Sequence, residues 1–405
     1  MLLRRAFLQR VSVGSLALMA SCSESIRPGA LPTSVPARVE PSPEAAPVLT
    51  SATQAVAAGL DVELDKMIGQ MFMVGFRGLT VAEDHPIVED IRRRALGGVV
   101  LFDYDVPNRE FVRNIQSPSQ VKELTESLQS FAQVPLLIAI DQEGGNVARL
   151  NERYGFGATL SHQALGEIDD VETTFEHARE IARTLKSVGV NHNLAPVVDV
   201  NVNPESPAIG AYGRSFSSDV EKVVQHAAAF IRAHRAENII TTLKHFPGHG
   251  SARDDSHRGF VDVTETWHRL ELEPYLALIE EGLADSIMTA HVFNQAWDES
   301  DPATLSRPVI TGMLREEMGY AGVIISDDMQ MEAIRSFYSF EEAIQKSVEA
   351  GVDVIAIANN SVYEDGAVSR GVAAIKRLVS DGKIAPARIQ ESYRRIQNLK
   401  ARLIV

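Results

Sequence analysis

The sequence predicts an α/β chain in which eight parallel strands alternate with helices and close into a (β/α)8 barrel of the TIM type. Eight short apolar runs recur after residue 60, and segments with helical spacing separate them. The runs are almost continuously Val, Ile and Leu, as in parallel strands that are buried on both faces. A single barrel domain with long loops is therefore expected over residues 60–405.

The first 22 residues are predicted to be a signal peptide and not part of the barrel. Arg4 and Arg5 resemble a twin-arginine export signal, and the apolar stretch 11–20 is too short to span a membrane. Cys22 is the only cysteine, which excludes an internal disulfide. Because it follows Leu-Met-Ala-Ser, as in a bacterial lipoprotein cleavage box, lipidation of Cys22 is expected. The alternative is a plain cleaved signal peptide with an incidental cysteine.

Residues 23–59 are predicted to be a disordered tether, because a stretch so rich in Pro, Ala, Ser and Thr cannot bury enough apolar area to fold. The chain carries 39 basic and 54 acidic residues and has a formal net charge of −15 at pH 7. Such an acidic surface argues against nucleic acid as a partner. We therefore expect an exported, periplasmic or cell-surface protein that meets the membrane only through its N-terminal lipid anchor.

The predicted strands lie at 70–74, 98–102, 136–141, 190–200, 240–245, 286–292, 323–327 and 352–358. Between the fourth and fifth strands, residues 219–236 repeat apolar side chains at helical spacing. The last segment begins at Pro386, a residue that suits the first turn of a helix. A doubly wound open sheet is the alternative fold, but no Gly-x-Gly-x-x-Gly sequence follows the first strand.

Polar residues stand at or just after the ends of five predicted strands. They are Asp141, Asp199, Lys244 with His245, His291, and Asp327. In a barrel of this type the carboxyl ends of all strands converge on one mouth, where the following loops build the active site. The sequence therefore predicts a concave polar site at that mouth.

The sequence KHFPGHG at 244–250, followed by DDSH at 254–257, predicts a loop that carries chemistry. Pro247 and Gly248 end the preceding apolar run, because proline lacks a donor and glycine admits positive φ. In an extended segment Asp255 and His257 would point to the same side. The carboxylate could then hold the tautomer of the imidazole and raise its basicity, as a general acid/base requires.

A metal site built on His245, His249 and His257 with nearby aspartates is the alternative reading of this loop. Zinc ligands at this spacing usually share one face of a helix, and the Pro-Gly pair makes a helix improbable here. The cation of Lys244 beside His245 also disfavours a metal ion, since like charges repel. We therefore predict a site without a metal.

Three motifs together resemble glycoside hydrolase family 3, and more narrowly its single-domain β-N-acetylglucosaminidases. They are IDQEGG at 140–145, the 244–257 stretch, and ISDDM at 325–329. The resemblance extends over nearly everything from Leu60 to the C-terminus. It implies a TIM-type barrel, a carbohydrate substrate, no cofactor and a monomeric enzyme.

The resemblance also implies residue roles. It places the nucleophile at Asp327 and the acid/base at His257, which Asp255 orients. The positions that match sugar-binding residues are Asp141, Arg149, Arg214, Lys244, His245 and His291. The segment 103–118 after the second strand is longer than the family pattern and is expected to reshape the leaving-group side.

Asp328 is the alternative nucleophile, although we expect it to cap the helix that follows near Ala333. Lys244, Arg149 and Arg214 are expected to keep Asp327 ionised.

The predicted function is an exo-acting retaining β-N-acetylhexosaminidase that releases terminal N-acetylglucosamine from wall-derived or chitin-type oligosaccharides. The first alternative is an N-acetylglucosaminide phosphorylase or β-glucosidase of the same family, because a neutral imidazole would not repel an incoming phosphate. The others are a metal-dependent barrel hydrolase and a non-catalytic sugar-binding lipoprotein, since fold alone does not prove activity. The sequence leaves open the natural aglycone and the tolerance of galacto-configured sugars.

Overall fold

Eight parallel strands form a barrel in the computed structural model, which describes residues 63–403. The strands are β1 Phe72–Gly75, β2 Gly98–Leu101, β3 Leu137–Ile140, β4 His192–Asn193, β5 Ile240–Phe246, β6 Ser286–Thr289, β7 Val323–Ile325 and β8 Ile355–Ile357. Each strand pairs with the next along the chain, and β1 also pairs with β8. A parallel bridge between Ile325 and Val354 joins β7 to the start of β8 and closes the ring. The predicted barrel is thereby confirmed.

A helix follows every strand on the outside of the barrel. The helices are α1 Pro86–Arg94, α2 Pro118–Ser130, α3 Val171–Ser187, α4 Val220–Ala236, α5 Glu273–Glu280, the π-helix α6 Pro308–Glu317, α7 Phe340–Ala350, α8 Ala367–Ser380 and a final α9 Pro386–Ala401. Shorter helices occupy His162–Ile168 and Glu332–Arg335, and residues 63–70 are helical.

Two helices begin where the sequence predicted them. The carboxylate of Asp219 accepts the amides of Glu221 and Lys222 and so begins α4, and Pro386 occupies the first turn of α9. No helix within residues 63–403 is long and apolar enough to cross a bilayer. The predicted signal peptide, tether and Cys22 lie outside the described residues.

The prediction of one strand over 190–200 is wrong. Only His192 and Asn193 join the ladder between β3 and β5, and Pro196 follows soon after with no N–H to donate to a neighbour. The chain rejoins β5 through a bridge between Val197 and Lys244. This irregular segment brings Asp199 to the end of β5, where it takes part in the site described below.

The segment 286–292, predicted as one strand, forms parts of two separate strands. β6 ends at Thr289, and Val292–Phe293 pairs with Val261–Asp262 in a separate two-stranded ladder above the barrel. This ladder links the loop after β5 to the loop after β6. It therefore fixes the far end of the segment that carries His257.

Candidate active site

A cavity of about 470 Å³ opens at the carboxyl ends of the strands. Eight of the nine predicted site residues line it, namely Asp141, Arg149, Arg214, Lys244, His245, Asp255, His257 and Asp327. They come from the loops or strand ends of β3, β4, β5 and β7. Apolar side chains of the strands themselves, Val100, Met288 and Ala356, form the floor. The cavity therefore combines an apolar base with a polar wall.

Asp327 lies two residues beyond β7, on the wall of the cavity. Its Oδ1 accepts the amide N–H of Asp328 at 2.8 Å, and its own N–H donates to Oγ1 of Thr289 at 3.3 Å. Burial opposes ionisation of this carboxyl, but the neighbouring imidazoles, His291 foremost, and the Asp328 amide outweigh burial and lower its pKa. The amide acts whatever the charge on the imidazoles. Asp327 is therefore held as an anion.

Asp328 does not cap a helix, contrary to the interpretation of the sequence. The helix Glu332–Arg335 begins after Met331 and has no side-chain cap. The Oδ1 of Asp328 instead accepts the amides of Gln330 at 3.1 Å and Ala358 at 2.9 Å, which ties the ends of β7 and β8 together. Burial raises its pKa to about 6. Asp328 is thus a positioning residue beside Asp327.

His257 lies on the loop after β5, with its side chain 62% exposed. Its Nδ1 lies 2.9 Å from Oδ1 of Asp255, and its amide N–H donates to the same oxygen at 3.0 Å. The Arg258 amide bonds to the Asp255 carbonyl at 2.9 Å, so these residues form a turn and not the predicted extended segment. The turn still brings carboxylate and imidazole together. With Nδ1 bound to Asp255, Nε2 remains available to a ligand.

Electrostatics favour the protonated form of His257. The pKa of His257 is raised, and the hydrogen bond to Asp255 is the main cause. Partial burial lowers this pKa, whereas the negative charge of Asp327 raises it further. Burial of Asp255 disfavours its charged form, but the hydrogen bonds from His257 outweigh burial and lower the pKa of Asp255 to about 2. Asp255 therefore stays ionised beside the His257 imidazole, which can hold a proton near neutral pH.

Lys244 and Arg214 share a buried partner, Glu143, that the sequence analysis missed. Nζ of Lys244 lies 2.7 Å from both Asp141 and Glu143. Arg214 binds Glu143 through two hydrogen bonds of 2.9 and 2.7 Å. Burial disfavours the Glu143 anion, but the two cations outweigh burial and hold its pKa well below the usual range. Its place in the quoted IDQEGG motif could have identified it.

This network corrects the expected role of the cations. Arg149 faces Asp103 at 3.6 Å and Asp141 at 3.7 Å, so each of Lys244, Arg149 and Arg214 already has carboxylate partners other than Asp327. The ionisation of Asp327 rests instead on the protonated form of His257 and on the Asp328 amide. The cations and their partners form a rigid, charge-balanced wall that can exchange hydrogen bonds with sugar hydroxyls.

His245 is oriented by Asp199, which the predicted site did not include. Nδ1 of His245 lies 2.7 Å from Oδ2 of Asp199, and the amides of His245 and His249 also donate to that carboxylate. On the other side of the ring, Nη2 of Arg214 lies 3.2 Å from Nε2. Because a guanidinium can only donate, Nε2 accepts and Nδ1 carries the proton. Asp199 had already stood out in the sequence as a polar residue after the fourth apolar run.

His291 does not line the cavity, so its predicted contact with sugar needs correction. It is fully buried, with Nδ1 2.8 Å from Oγ1 of Thr304 and Nε2 2.9 Å from the Asp328 carbonyl. Both ring nitrogens are therefore already engaged with protein atoms. Burial lowers the pKa of His291, so its neutral ring supports the segment that carries Asp327.

The geometry does not favour the metal alternative. Within residues 63–403 no group of three or more His, Cys, Asp or Glu side chains is arranged to hold a metal ion. Nδ1 of His245 is directed at Asp199, and Nε2 of His249 lies 3.4 Å from Oγ of Ser256. Burial lowers the pKa of His249 to about 4, so it packs as a neutral side chain.

The sequence is similar to those of a known family of glycosyl hydrolases. The family profile described as "Glycosyl hydrolase family 3 N terminal domain" matches residues 52–399. Beta-hexosaminidase A of Pseudoalteromonas piscicida is 33% identical over 400 residues, which cover 88% of this chain and 64% of that protein. Beta-hexosaminidase of Xylella fastidiosa is 36% identical over 306 residues, or 73% of this chain and 85% of the relative.

Solved structures show the same likeness. A glycoside hydrolase family 3 β-N-acetylglucosaminidase from Paenibacillus sp. strain FPU-7 superposes with a TM-score of 0.77 at 36% identity. The match covers 84% of this chain and 62% of the Paenibacillus protein. The chain thus spans less than two thirds of the Pseudoalteromonas and Paenibacillus proteins, and most of the Xylella protein.

Proposed function

The chain belongs to glycosyl hydrolase family 3, and from that premise we propose that it is an exo-acting retaining β-N-acetylhexosaminidase. Asp327 is the nucleophile and His257 the acid/base. The observation that carries this proposal is that the two side chains come from different loops, after β7 and β5, and line one cavity. One is held as an anion and the other is favoured as a cation. That is the pairing that glycoside cleavage with retention requires.

The first step follows from these charges. A carboxylate oxygen of Asp327 forms a bond to the anomeric carbon while the bond from that carbon to the leaving oxygen breaks. The proton on Nε2 of His257 passes to the leaving oxygen, so the alcohol departs neutral. Asp255 stabilises the imidazolium before transfer and keeps Nδ1 protonated afterwards. The products of this step are a glycosyl ester on Asp327 and a neutral imidazole.

The second step reverses the roles. The neutral Nε2 of His257 takes a proton from water as the water oxygen attacks the anomeric carbon, and the ester bond to Asp327 breaks. The carboxylate and the imidazolium are both restored. Two displacements at one carbon return the sugar with its original β configuration. The exposed position of His257 lets water reach it once the leaving group has gone.

The wall of the cavity suits an N-acetylated sugar. Carboxylates and guanidinium groups of Asp141, Arg149 and Arg214 are available to hydroxyls, while the apolar floor can receive a methyl group. Side chains of the barrel strands form the floor, so a sugar chain would enter from the mouth, which supports exo action. The names of the similar proteins agree with an N-acetylhexosamine as the transferred sugar.

Product analysis tests the proposed activity. Wild-type protein should release N-acetylglucosamine from an aryl N-acetyl-β-glucosaminide, from chitobiose and from a muropeptide, with and without added phosphate. We expect the free β-sugar as the initial product in both conditions. Formation of N-acetylglucosamine 1-phosphate when phosphate is present would favour a phosphorylase, and absence of turnover would favour a non-catalytic sugar-binding protein.

The pH profile tests the link between Asp255 and His257. As the acid, His257 works below its pKa and loses activity as the pH rises through that value. Asp255 raises the pKa, so Asp255→Asn should lower it and move the alkaline limb of kcat/KM to lower pH. The exposed neighbour Asp254 provides the matched control, since Asp254→Asn should leave the limb in place. An unshifted limb in Asp255→Asn would contradict the assignment.

We also propose that the protein is exported and anchored by a lipid on Cys22. Support comes from the sequence alone, through Arg4 and Arg5, the short apolar stretch that follows them, and the cleavage box before the cysteine. A tether at 23–59 would then hold the barrel away from the membrane surface, within reach of wall or chitin-type oligosaccharides.

A further inference from the structure

The long loop between β2 and α2, residues 102–117, is fixed by buried polar contacts. The side chain of Arg113 is fully buried and donates to the carbonyls of Phe76 at 3.1 Å and Asn359 at 2.7 Å. It also bonds Asp105 at 3.1 Å. Phe76 and Asn359 belong to the loops after β1 and β8, so one guanidinium joins three neighbouring loops of the barrel mouth.

Further bonds stiffen the same loop from within. Asp105 and Glu110 exchange backbone hydrogen bonds of 2.8 and 3.2 Å, which makes a tight hairpin. Arg77 binds Asp105 through two contacts of 2.7 and 3.0 Å, and Asn114 accepts the Phe102 amide at 3.0 Å. With so many buried polar groups paired, the loop cannot collapse onto the barrel without losing them.

This rigid loop nevertheless exposes large apolar side chains. Val106 is 49% exposed, Phe111 53% and Val112 44%. Tyr104 lines the active-site cavity together with Val106, and the Tyr104 and Phe111 rings meet at a centroid distance of 4.9 Å. Exposed apolar surface held in place next to a cavity marks a binding site more often than chance. Tyr104, Val106 and Phe111 therefore form an apolar rim that is continuous with the active-site cavity.

Neighbouring loops contact the aromatic residues on both sides of the cavity mouth. The guanidinium of Arg153 lies 4.0 Å from the Phe111 ring centroid, and the hydroxyl of Tyr154 donates to the Asp103 carbonyl at 3.1 Å. Tyr212, on the loop after β4, also lines the cavity and is 48% exposed. Asn146 holds it in place by donating to its carbonyl at 3.1 Å. Tyr104 and Tyr212 thus come from the loops on either side of the β3 loop.

We propose that Tyr104, Val106 and Phe111, together with Tyr212, form a leaving-side subsite that binds a second β-linked sugar by its apolar face. The proposal rests on the proposed function and specifies its substrate class as β-linked oligosaccharides of N-acetylhexosamines, not glycosides of small alcohols. With the terminal sugar in the cavity, the leaving group extends through the mouth past these rings. The C–H bonds of a pyranose face match the negative face of an aromatic ring.

The contribution of this subsite can be measured by comparing two substrates that both have an alkyl alcohol as leaving group. Methyl N-acetyl-β-glucosaminide has no ring on the leaving side, whereas chitobiose places one sugar there. In Tyr104→Ala, Val106→Ser and Phe111→Ala the ratio of kcat/KM for chitobiose to kcat/KM for the methyl glycoside should fall by about 2- to 10-fold. Tyr104→Phe should keep the wild-type ratio, because the ring is retained. Ile168→Ala, at an exposed apolar position away from the cavity, is the matched control.

The outcomes separate the subsite from the activity. If the wild type cleaves neither substrate, the proposed function fails; if it cleaves both and the ratio is unchanged in all three variants, only the subsite fails. Equal losses on both substrates would show that the loop merely supports the active site. Sedimentation analysis adds a further check, because a wild-type dimer that becomes monomeric in Phe111→Ala with an unchanged ratio would make the rim a contact between copies of the chain.

Discussion

Asp327→Ala should lower kcat on an aryl N-acetyl-β-glucosaminide by at least about 10³-fold, because the variant lacks the carboxylate that forms the glycosyl ester in the proposed mechanism. The fold should survive, since within residues 63–403 the Asp327 carboxylate accepts a hydrogen bond only from the next residue along the chain. Steady-state kinetics with a thermal melt on the same sample would measure both quantities. Added azide can enter the vacated space and attack the anomeric carbon from the same face, giving an α-glycosyl azide.

The matched comparison is Asp328→Asn. Asp328 accepts two amides that join β7 to β8, so its carboxyl is engaged in holding these strand ends together. We expect a lower melting temperature and a smaller loss of kcat than in Asp327→Ala. If Asp328→Asn abolished turnover while Asp327→Ala retained it, the nucleophile would have to be reassigned.

His257→Ala should show losses that depend on the leaving group. On chitobiose, whose leaving alcohol needs a proton, kcat/KM should fall by about 10²- to 10⁴-fold. On a dinitrophenyl glycoside the leaving anion is stable without a proton, so kcat/KM, which reports the first displacement, should change far less. Azide should restore turnover of the glycosyl ester on the activated substrate, and the product should be the β-glycosyl azide because Asp327 is still present.

Arg253→Ala is the control for disturbance of the loop, since Arg253 lies on the same loop as His257 and is exposed. It should leave the leaving-group dependence at the wild-type value. Equal losses on both substrates in His257→Ala, or an α-azide from that variant, would remove His257 from the role of acid/base. Asp327→Ala should give the α-glycosyl azide and His257→Ala the β-glycosyl azide. The configuration of the product therefore distinguishes the nucleophile from the acid/base independently of the measured rates.

Much of the fold and of the site was readable from residues that are close in sequence. Apolar runs of Val, Ile and Leu indicate strands buried on both faces, and the β3, β5 and β7 runs end in the polar residues that reach the cavity. The Asp255–His257 pairing was also local, although a turn and not an extended segment produces it. Such features depend on short-range backbone geometry, which neighbouring residues largely determine.

The errors concern partners that are distant in sequence. Glu143 looks like an ordinary motif carboxylate until Lys244 and Arg214, about 100 and 71 positions away, are seen to bind it. His291 ends a strand like the other polar residues, yet both its nitrogens are engaged by protein atoms.

The sequence by itself determined the barrel and the gathering of polar residues at its mouth, because strand periodicity and loop composition act over a few residues. The assignment of an aspartate and a histidine as the reacting pair came from the family resemblance and stays a proposal. Only the tertiary structure decided which carboxylates neutralise which cations, which histidine faces solvent, and which contacts hold the 102–117 loop. Those properties depend on burial and on contacts between distant segments, and both are set by how the eight strand–helix units close on one another.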